Sequence, residues 1–426
     1  MTKKSIFKLA KKLWPIHRTI VGPGIRTSLK VIKSEQNLIK IKSVKTGTKV
    51  YDWKIPKEWE VKDAWIKYNN RKVVDYKKNN LHIVGHSIAI DKKINFNELK
   101  KKIHYIKKIQ NAVPYVTSYY KKYWGFCMSY KKFKKLKSGQ YHVFIDTKFK
   151  KGNLNYGELV FKGKSKKEIL FSTYLCHPSL ANNEISGPCV NTFLTKYVEN
   201  IKDRYYTYRF IFIPETIGSI TYISKKFSHL KKNLLAGFNI SCVGDERAYS
   251  YVSSRKGDTM ADYVANKILY QVDKKFKKYD WLSRGSDERQ FCSPGVDLPI
   301  CTISRSKFGE YPEYHNSLDT LGKVVTTKGL SSSLKLLKKI VVHFEKNFYY
   351  NSVHKCEPFM TKRKLYNSLS KFNQSKKDNY LMNVLSSCDG KTDFETICKI
   401  NKLSKIKALK AVRILIKKNL IHKTKL

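Results

Sequence analysis

The sequence predicts an α/β protein with a mostly parallel mixed sheet, a β-rich insertion on its N-terminal side and a small helical module at its end. Three observations carry this. Between about Leu154 and Phe348, apolar runs of strand length alternate with stretches of helical period, the rhythm of a parallel sheet flanked by helices. From about Gly47 to Lys151 the texture is instead short strand-like runs separated by polar turns. Beyond residue 380, three short helical patterns follow one another. A chain of 426 residues is also too long for one small core and suggests two or three domains of ~100–200 residues.

An amphipathic start leads into Trp14–Arg26, whose two glycines and two prolines predict a turn-rich linker. Lys49–Ile55 and Asn80–His86 read as strands of the insertion. Aromatic residues crowd between Tyr115 and Phe126, either as a wall for a ligand or as a packed β core. Glu168–Leu175 is a compact apolar run that stops at Cys176-His177-Pro178. After it, Val190, Phe193, Leu194, Tyr197 and Val198 fall on one helical stripe. Tyr208–Ile213 is a strand ending at Pro214-Glu215, and Leu235–Val243 one ending at Gly244-Asp245. Met260, Val264, Ile268 and Val272 mark a helix, Leu298–Ser304 a strand, and Leu330 to Phe348 a long closing helix. Asn351 to about Asn379 is polar. In the tail, Tyr380–Ser387, Thr392–Ile400 and Ser404–Lys418 are helical patterns. The second opens on a Thr392-to-Glu395 capping box, and Leu409, Val412 and Ile416 are expected on the inner face of the third. Asn419–His422 adds a strand stub, which makes the tail a winged-helix candidate.

Lys and Arg total 86 against 33 Asp and Glu, a net charge of +53. Lysine dominates and recurs from end to end, whereas a nucleic-acid reader concentrates cations on one face and relies on Arg. The charge is therefore read as solvated surface that binds polyanions weakly and salt-sensitively. The nine cysteines are scattered, form no C-x-x-C pair and fit a reducing compartment better than a disulfide scaffold. No run approaches the ~20 apolar residues of a membrane span, and the N-terminus lacks a signal-peptide core. A cytoplasmic protein is expected. Nothing matches a phosphate loop or a serine nucleophile elbow.

The informative pattern is where metal-capable residues fall. His177, Glu215 and Asp245 each stand one or two positions past an expected strand end. In open α/β sheets the ligand crevice lies outside those ends. His315, after the turn-rich Gly309–Tyr314 loop, completes a His/carboxylate set of the kind that leaves Zn²⁺ an open position for water.

At this point a resemblance emerges. His177-Pro-Ser-Leu-Ala-Asn-Asn183-Glu184-Ile-Ser186-Gly187 resembles the His…Asp-Asn-x-Ser-Gly segment of co-catalytic zinc aminopeptidases. Arg284-Gly-Ser-Asp287-Glu288-Arg289-Gln-Phe291 and Tyr314-His315-Asn-Ser-Leu-Asp319 resemble two further segments of theirs. Over nearly the whole chain the sequence is similar to a bacterial aminopeptidase-like family of unknown function. That family has an inserted β-rich domain and a C-terminal winged helix.

The resemblance implies a three-layer α/β sandwich formed by residues 1–43 and 152–352, an inserted domain over 44–151, a linker over 353–379 and a winged helix over 380–426. It implies one or two zinc ions held by His177, Asn183, Asp245 and His315. Glu215 and Glu184 would be catalytic, and Asp287, Glu288, Arg289 and Tyr314 would bind substrate. Two departures stand out: Asn183 occupies the position of the bridging Asp, and Pro214-Glu215 replaces a Glu-Glu pair, so that Glu184, Glu246 or Glu288 is needed to fill the vacant role.

Two functions follow. The first is a metal-dependent amide hydrolase, aminopeptidase- or deacylase-like, acting on a small-molecule or short peptide-like substrate. Family members' association with polysaccharide biosynthesis suggests modified sugars. The second is a catalytically reduced relative that binds or regulates through its winged helix. Arg413 stands there without the Arg, Asn and Gln cluster that reads base edges, so nucleic acid is the weaker partner expectation. A homo-oligomer is left open.

Overall fold

The computed structural model describes residues 3–119, 121–365 and 380–425. They form two compact units, residues 1–340 and 341–426. In the first, eight strands make one mixed sheet: β1 (Lys40–Lys45), β2 (Asn153–Phe161), β3 (Glu168–Tyr174), β4 (Thr207–Ile213), β5 (Leu234–Ile240), β6 (Ser250–Val252), β7 (Lys277–Tyr279) and β8 (Ile300–Ser304). Their order is β1-β2-β4-β3-β5-β8-β6-β7. The four central strands β4, β3, β5 and β8 run parallel. On one side β1 and β2 are antiparallel, and on the other β6 is antiparallel to β8. Every residue of β3 and β4 is buried, which is why both read as continuous runs and not as alternation.

The longer helices of this unit are α1 (Lys3–Leu13), α2 (Pro23–Glu35), α3 (Ser186–Glu199), α4 (Ile217–Asn233) and α5 (Met260–Val272), with α6 (Thr327–Lys346) closing it. The stripe expected on α3 is present, Val190, Phe193, Leu194 and Val198 being buried. Thr259 and Asp262 form a reciprocal capping box at the start of α5.

Some local expectations change. Pro23–Arg26, expected in a linker, is the first turn of α2, with proline where its missing N–H costs nothing. Asn80–His86 is not a strand: Asn79 accepts from the Leu81 amide and caps a short 3-10 turn over Asn80–His82. Lys49–Ile55 folds back on itself as a hairpin, Lys49–Val50 against Trp53–Lys54.

The rest of the insertion is a four-stranded antiparallel sheet of Arg71–Asp75, Glu58–Tyr68, Gln140–Lys150 and Ile90–Asn95. Its core gathers Trp59, Ile66, Phe126, Tyr141 and Val143.

The second unit is a winged helix. Strands Asp389–Asp393, Tyr349–Ser352 and Ile421–Thr424 form an antiparallel sheet in that order, beside helices Tyr380–Ser386, Phe394–Ile400 and Lys405–Lys417. Tyr349–Ser352, assigned from sequence to the α/β domain, thus pairs within this unit. Residues 366–379 of the expected linker lie outside the described residues. The second helix is capped by Asp393 and not by Thr392, because a strand runs up to Asp393. The inner face of the third is Ala408, Ala411, Val412 and Leu415; Leu409 and Ile416 are 39% exposed. Small alanines let the helix sit close on the neighbouring stripe.

All nine cysteines are free and all but Cys356 are buried. No helix among the described residues is long and apolar enough to cross a membrane.

Candidate functional site

Parallel strands β3 and β4 deliver their following residues to the same end of the sheet, and that end carries the site. His177 follows β3 and Glu215 follows β4. The chain then enters a π-helical turn over Ala181–Ile185 before α3 begins. Such wide turns recur at functional sites because they re-aim side chains.

His177 is buried. Its Nδ1 is hydrogen-bonded to Glu184 Oε1, and the other Glu184 oxygen accepts from the Cys176 amide at 2.7 Å. The imidazole Nε2 is thereby left for the cleft, 3.9 Å from Glu215 Oε2. The His315 ring lies 5.2 Å from that of His177, centroid to centroid. Tyr314 stacks on His315 at 3.9 Å, and Tyr115 of the insertion stands edge-on to both imidazoles. Tyr115 also donates its amide to the His315 carbonyl at 2.8 Å, which steadies His315 in a left-handed conformation (φ 54). Thr216, directly after Glu215, is likewise left-handed at φ 63. That is costly for a β-branched residue and is held here by its neighbours. The Thr216 amide donates to Asp287 Oδ1 (2.8 Å) and its hydroxyl accepts from Arg289 (2.7 Å).

Other expected residues serve the frame. Both Asp245 oxygens are taken: they accept from Asn182, from the Arg247 amide, and from the amide and hydroxyl of Ser306. Glu288 accepts from the Gly285 and Ser286 amides, from Thr302 and from Asn239. Asp319 accepts both the Asn182 and Asn183 amides and so stitches the π-helical turn to the His315 loop. Glu246 is engaged at the surface by Thr326 and Lys328. The structure therefore brings His177, His315, Glu215, Asp287, Arg289 and Tyr314 together, with Glu184 behind His177. It commits Asp245 and Glu288 to loop geometry.

The electrostatics are unusual for so basic a chain. Burial raises the Glu215 carboxyl, opposed by His177 and reinforced by Glu184. Burial, then Glu215, pushes Asp287 up to about 8. Burial lowers His177, but the Glu184 charge and hydrogen bond outweigh it, for a net rise. Burial, then His177, brings His315 down to about 3, so that imidazole is neutral and can act as a ligand.

A crowded acidic floor with a neutral imidazole fits a cation. His315 Nε2 and Asn183 Oδ1 are buried without a partner, the condition expected of atoms that await a ligand. The donor atoms of Cys176, His177 and Glu184 also lie within 4.8 Å of one another. We read that trio as a hydrogen-bonded unit, since Nδ1 is engaged and burial raises the Cys176 thiol well above its ordinary range. A bridging carboxylate is missing: Asn183 stands in that position and donates to the Tyr174 hydroxyl at 2.7 Å. The carboxylates beside the two imidazoles are Glu215, which accepts from Ser286, and Asp287, whose Oδ2 is buried without a partner.

The group opens into a cleft of ≈350 Å³ bounded by Ile20, Trp53, Tyr119, Glu215, Arg289 and Gln290. Trp53 and Tyr119 come from the insertion. Sequence reasoning missed Arg18, which is fully buried and donates Nε to the His177 carbonyl at 3.0 Å. It also missed the clamp made by Asn182, while Tyr115 lay in the aromatic stretch offered as a ligand wall. Asp319 was the visible half of that clamp, inside the Tyr-His-x-x-x-Asp string.

This sheet and strand-end site define an aminopeptidase-like α/β fold, here followed by a winged helix. The zinc aminopeptidase of Bacillus subtilis superposes with a TM-score of 0.59 at 14% identity, over 80% of this chain and 94% of that one. More particularly, the chain belongs to the family described as Domain of unknown function (DUF4910), which matches residues 7–347, and residues 347–423 match a winged helix-turn-helix family. A Clostridium acetobutylicum protein, named for polysaccharide biosynthesis with an aminopeptidase-like domain, is 39% identical over 92% of this chain and 89% of its own length. A crystal structure from the same organism, described as a candidate peptidase, aligns with a TM-score of 0.84 at 35% identity, covering 99% of this chain and 96% of that one.

Proposed function

We propose that this chain is a zinc-dependent amide hydrolase, aminopeptidase- or deacylase-like, with a one-ion site. The observation that carries this is the His177–His315 pair, 5.2 Å apart, with Glu215 Oε2 3.9 Å from His177 Nε2. His177, His315 and the amide oxygen of Asn183 would hold the ion. Bound there, zinc supplies polarisation of an amide carbonyl and a water acidified toward neutrality.

Glu215 is the proton carrier. Its buried carboxyl has a raised affinity for a proton, so it takes one from the attacking water and returns it to the leaving amine. Glu184 fixes the His177 ring through Nδ1, as carboxylates behind metal-bound histidines do. Arg289, beside Thr216 at the cleft wall, is placed to hold a carboxylate or other anionic group of the substrate. The relative named for polysaccharide biosynthesis points to an acyl or aminoacyl group on a modified sugar, and the free thiols suit a cytoplasmic setting. A second reading, a turnover-poor protein acting through its winged helix, is favoured by one observation: Asn183 where a bridging carboxylate would be.

Zinc per chain and hydrolysis of aminoacyl and N-acyl amides test the two readings on wild type, His177→Ala, His315→Ala and Glu215→Gln. One zinc is expected in wild type, lost in both histidine variants and kept in Glu215→Gln, whose turnover falls by about 10²–10⁴-fold. Absence of zinc in zinc-supplemented wild type, or full turnover in Glu215→Gln, sinks the hydrolase reading.

A further inference from the structure

We propose that the candidate site continues into an apolar groove, and that the substrate carries an aliphatic or aromatic chain that lies in it. The inference rests on the hydrolase reading only in assigning the groove to a substrate. The groove, of ≈400 Å³, lies between the insertion's Tyr51–Trp53 turn and the flank of α4 that carries Ile220, Ile223 and the half-buried Phe227. Ile220, Ile223 and Phe227, at i, i+3 and i+7, form its α4 side on one helical face. Tyr51 closes the opposite side, 52% exposed at the tip of the hairpin with φ 53. Trp53 and Gln290 line both this groove and the cleft that holds His177 and Glu215, so the two spaces adjoin.

The charge pattern argues for the occupant. In a chain with 86 lysines and arginines, no Lys or Arg is among the described residues that line this groove, and Asp52 is its one charged residue. Two other clefts carry Lys77 and Lys78, or Lys277 and Lys307. A lysine-rich surface that leaves one apolar channel clear, opening beside the site, is built to take an apolar chain. An ordinary solvated face is not built this way. A ligand held at His177 and Glu215 by its amide would extend past Trp53 into that channel. Burial of apolar area there supplies affinity in proportion to chain length.

The experiment is calorimetric titration of the full-length protein with N-acetyl-, N-butanoyl-, N-hexanoyl- and N-octanoylglycine. Affinity is expected to rise roughly three- to four-fold per methylene until the groove is filled. Tyr51→Ser and Phe227→Ser, at positions that are not fully buried, are expected to flatten that slope without changing N-acetylglycine binding. Equal affinity along the series overturns the proposal, as does a slope that both variants leave intact. Concentration-dependent self-association that Phe227→Ser abolishes also overturns it, by making the groove an interface between copies. A slope that depends on Tyr51 and Phe227, in a protein without amide turnover, upholds the groove while the hydrolase reading fails.

Discussion

At the residue scale, the proposed one-ion site turns on Asn183. Its amide nitrogen donates to the Tyr174 hydroxyl, and its oxygen is buried without a partner. In Asn183→Asp the Tyr174 bond survives, because a hydroxyl can donate as readily as accept, and a second anionic oxygen enters the floor. Elemental analysis is expected to show zinc rising from one toward two per chain in this variant. Unchanged stoichiometry would mean that the site's geometry, and not the lost charge, sets the count.

The same scale shows how far sequence carried the site. His177, Glu215 and His315 stood out as candidates because they follow expected strand ends or a conspicuous turn, and the fold brings their side chains together. Asp245 was equally conspicuous, yet its oxygens serve four donors. Position after a strand does not say which way a carboxylate turns. Glu184 was visible beside Asn183, but only the π-helical turn reveals that it faces His177 Nδ1.

At the scale of elements, the sheet is tied by a buried ionic network. Arg209 on β4 donates to Glu168 on β3 and Glu158 on β2, and His229 of α4 adds to Glu168. Burial raises both carboxyls, but Lys42, Tyr222 and Arg209 outweigh it at Glu158, and Arg209 and His229 at Glu168, so that both end below the usual carboxylate range. A lowered folded-state pKa contributes stability above the unfolded value and loses it as pH falls through the folded one. Arg209→Met removes the cation shared by the two carboxylates, leaving Glu168 with His229 and Glu158 with Lys42 and Tyr222, at a cost of up to about 3–5 kcal/mol near neutral pH. Denaturant unfolding is expected to show the gap between variant and wild type narrowing as pH is lowered into the acid range. A gap constant with pH would mean that lost packing, and not lost charge, explains the cost.

The helices teach a related lesson. α4 was not read beforehand, because the stripe of Ile220, Ile223 and Phe227 is interleaved with serines, threonines and lysines.

At the scale of the molecule, the net charge of +53 is spread over both units, and many lysines lie on exposed positions. Binding to heparin and to duplex DNA of any sequence is expected to be weak and to fall steeply with salt. A logarithmic slope the same for unrelated DNAs marks non-specific counterion release. A sequence preference that survives at 0.2 M salt would instead assign a reading function to the winged helix, whose third helix offers Arg413.

Taken alone, the sequence determined the α/β rhythm and the winged-helix tail, and it marked His177, Glu215 and His315 as candidates by their positions. Each of these is a periodicity, a composition or a position relative to a strand end, and those are properties of the chain itself. Only tertiary structure decided that Arg18 holds the His177 loop, that Tyr115 of the insertion stands against both imidazoles while Trp53 and Tyr119 line the cleft, and that Asp245 and Glu288 accept hydrogen bonds from neighbouring loops. Those facts depend on contacts between residues far apart in sequence, where packing and hydrogen-bond satisfaction choose each side chain's direction and no local pattern records the choice.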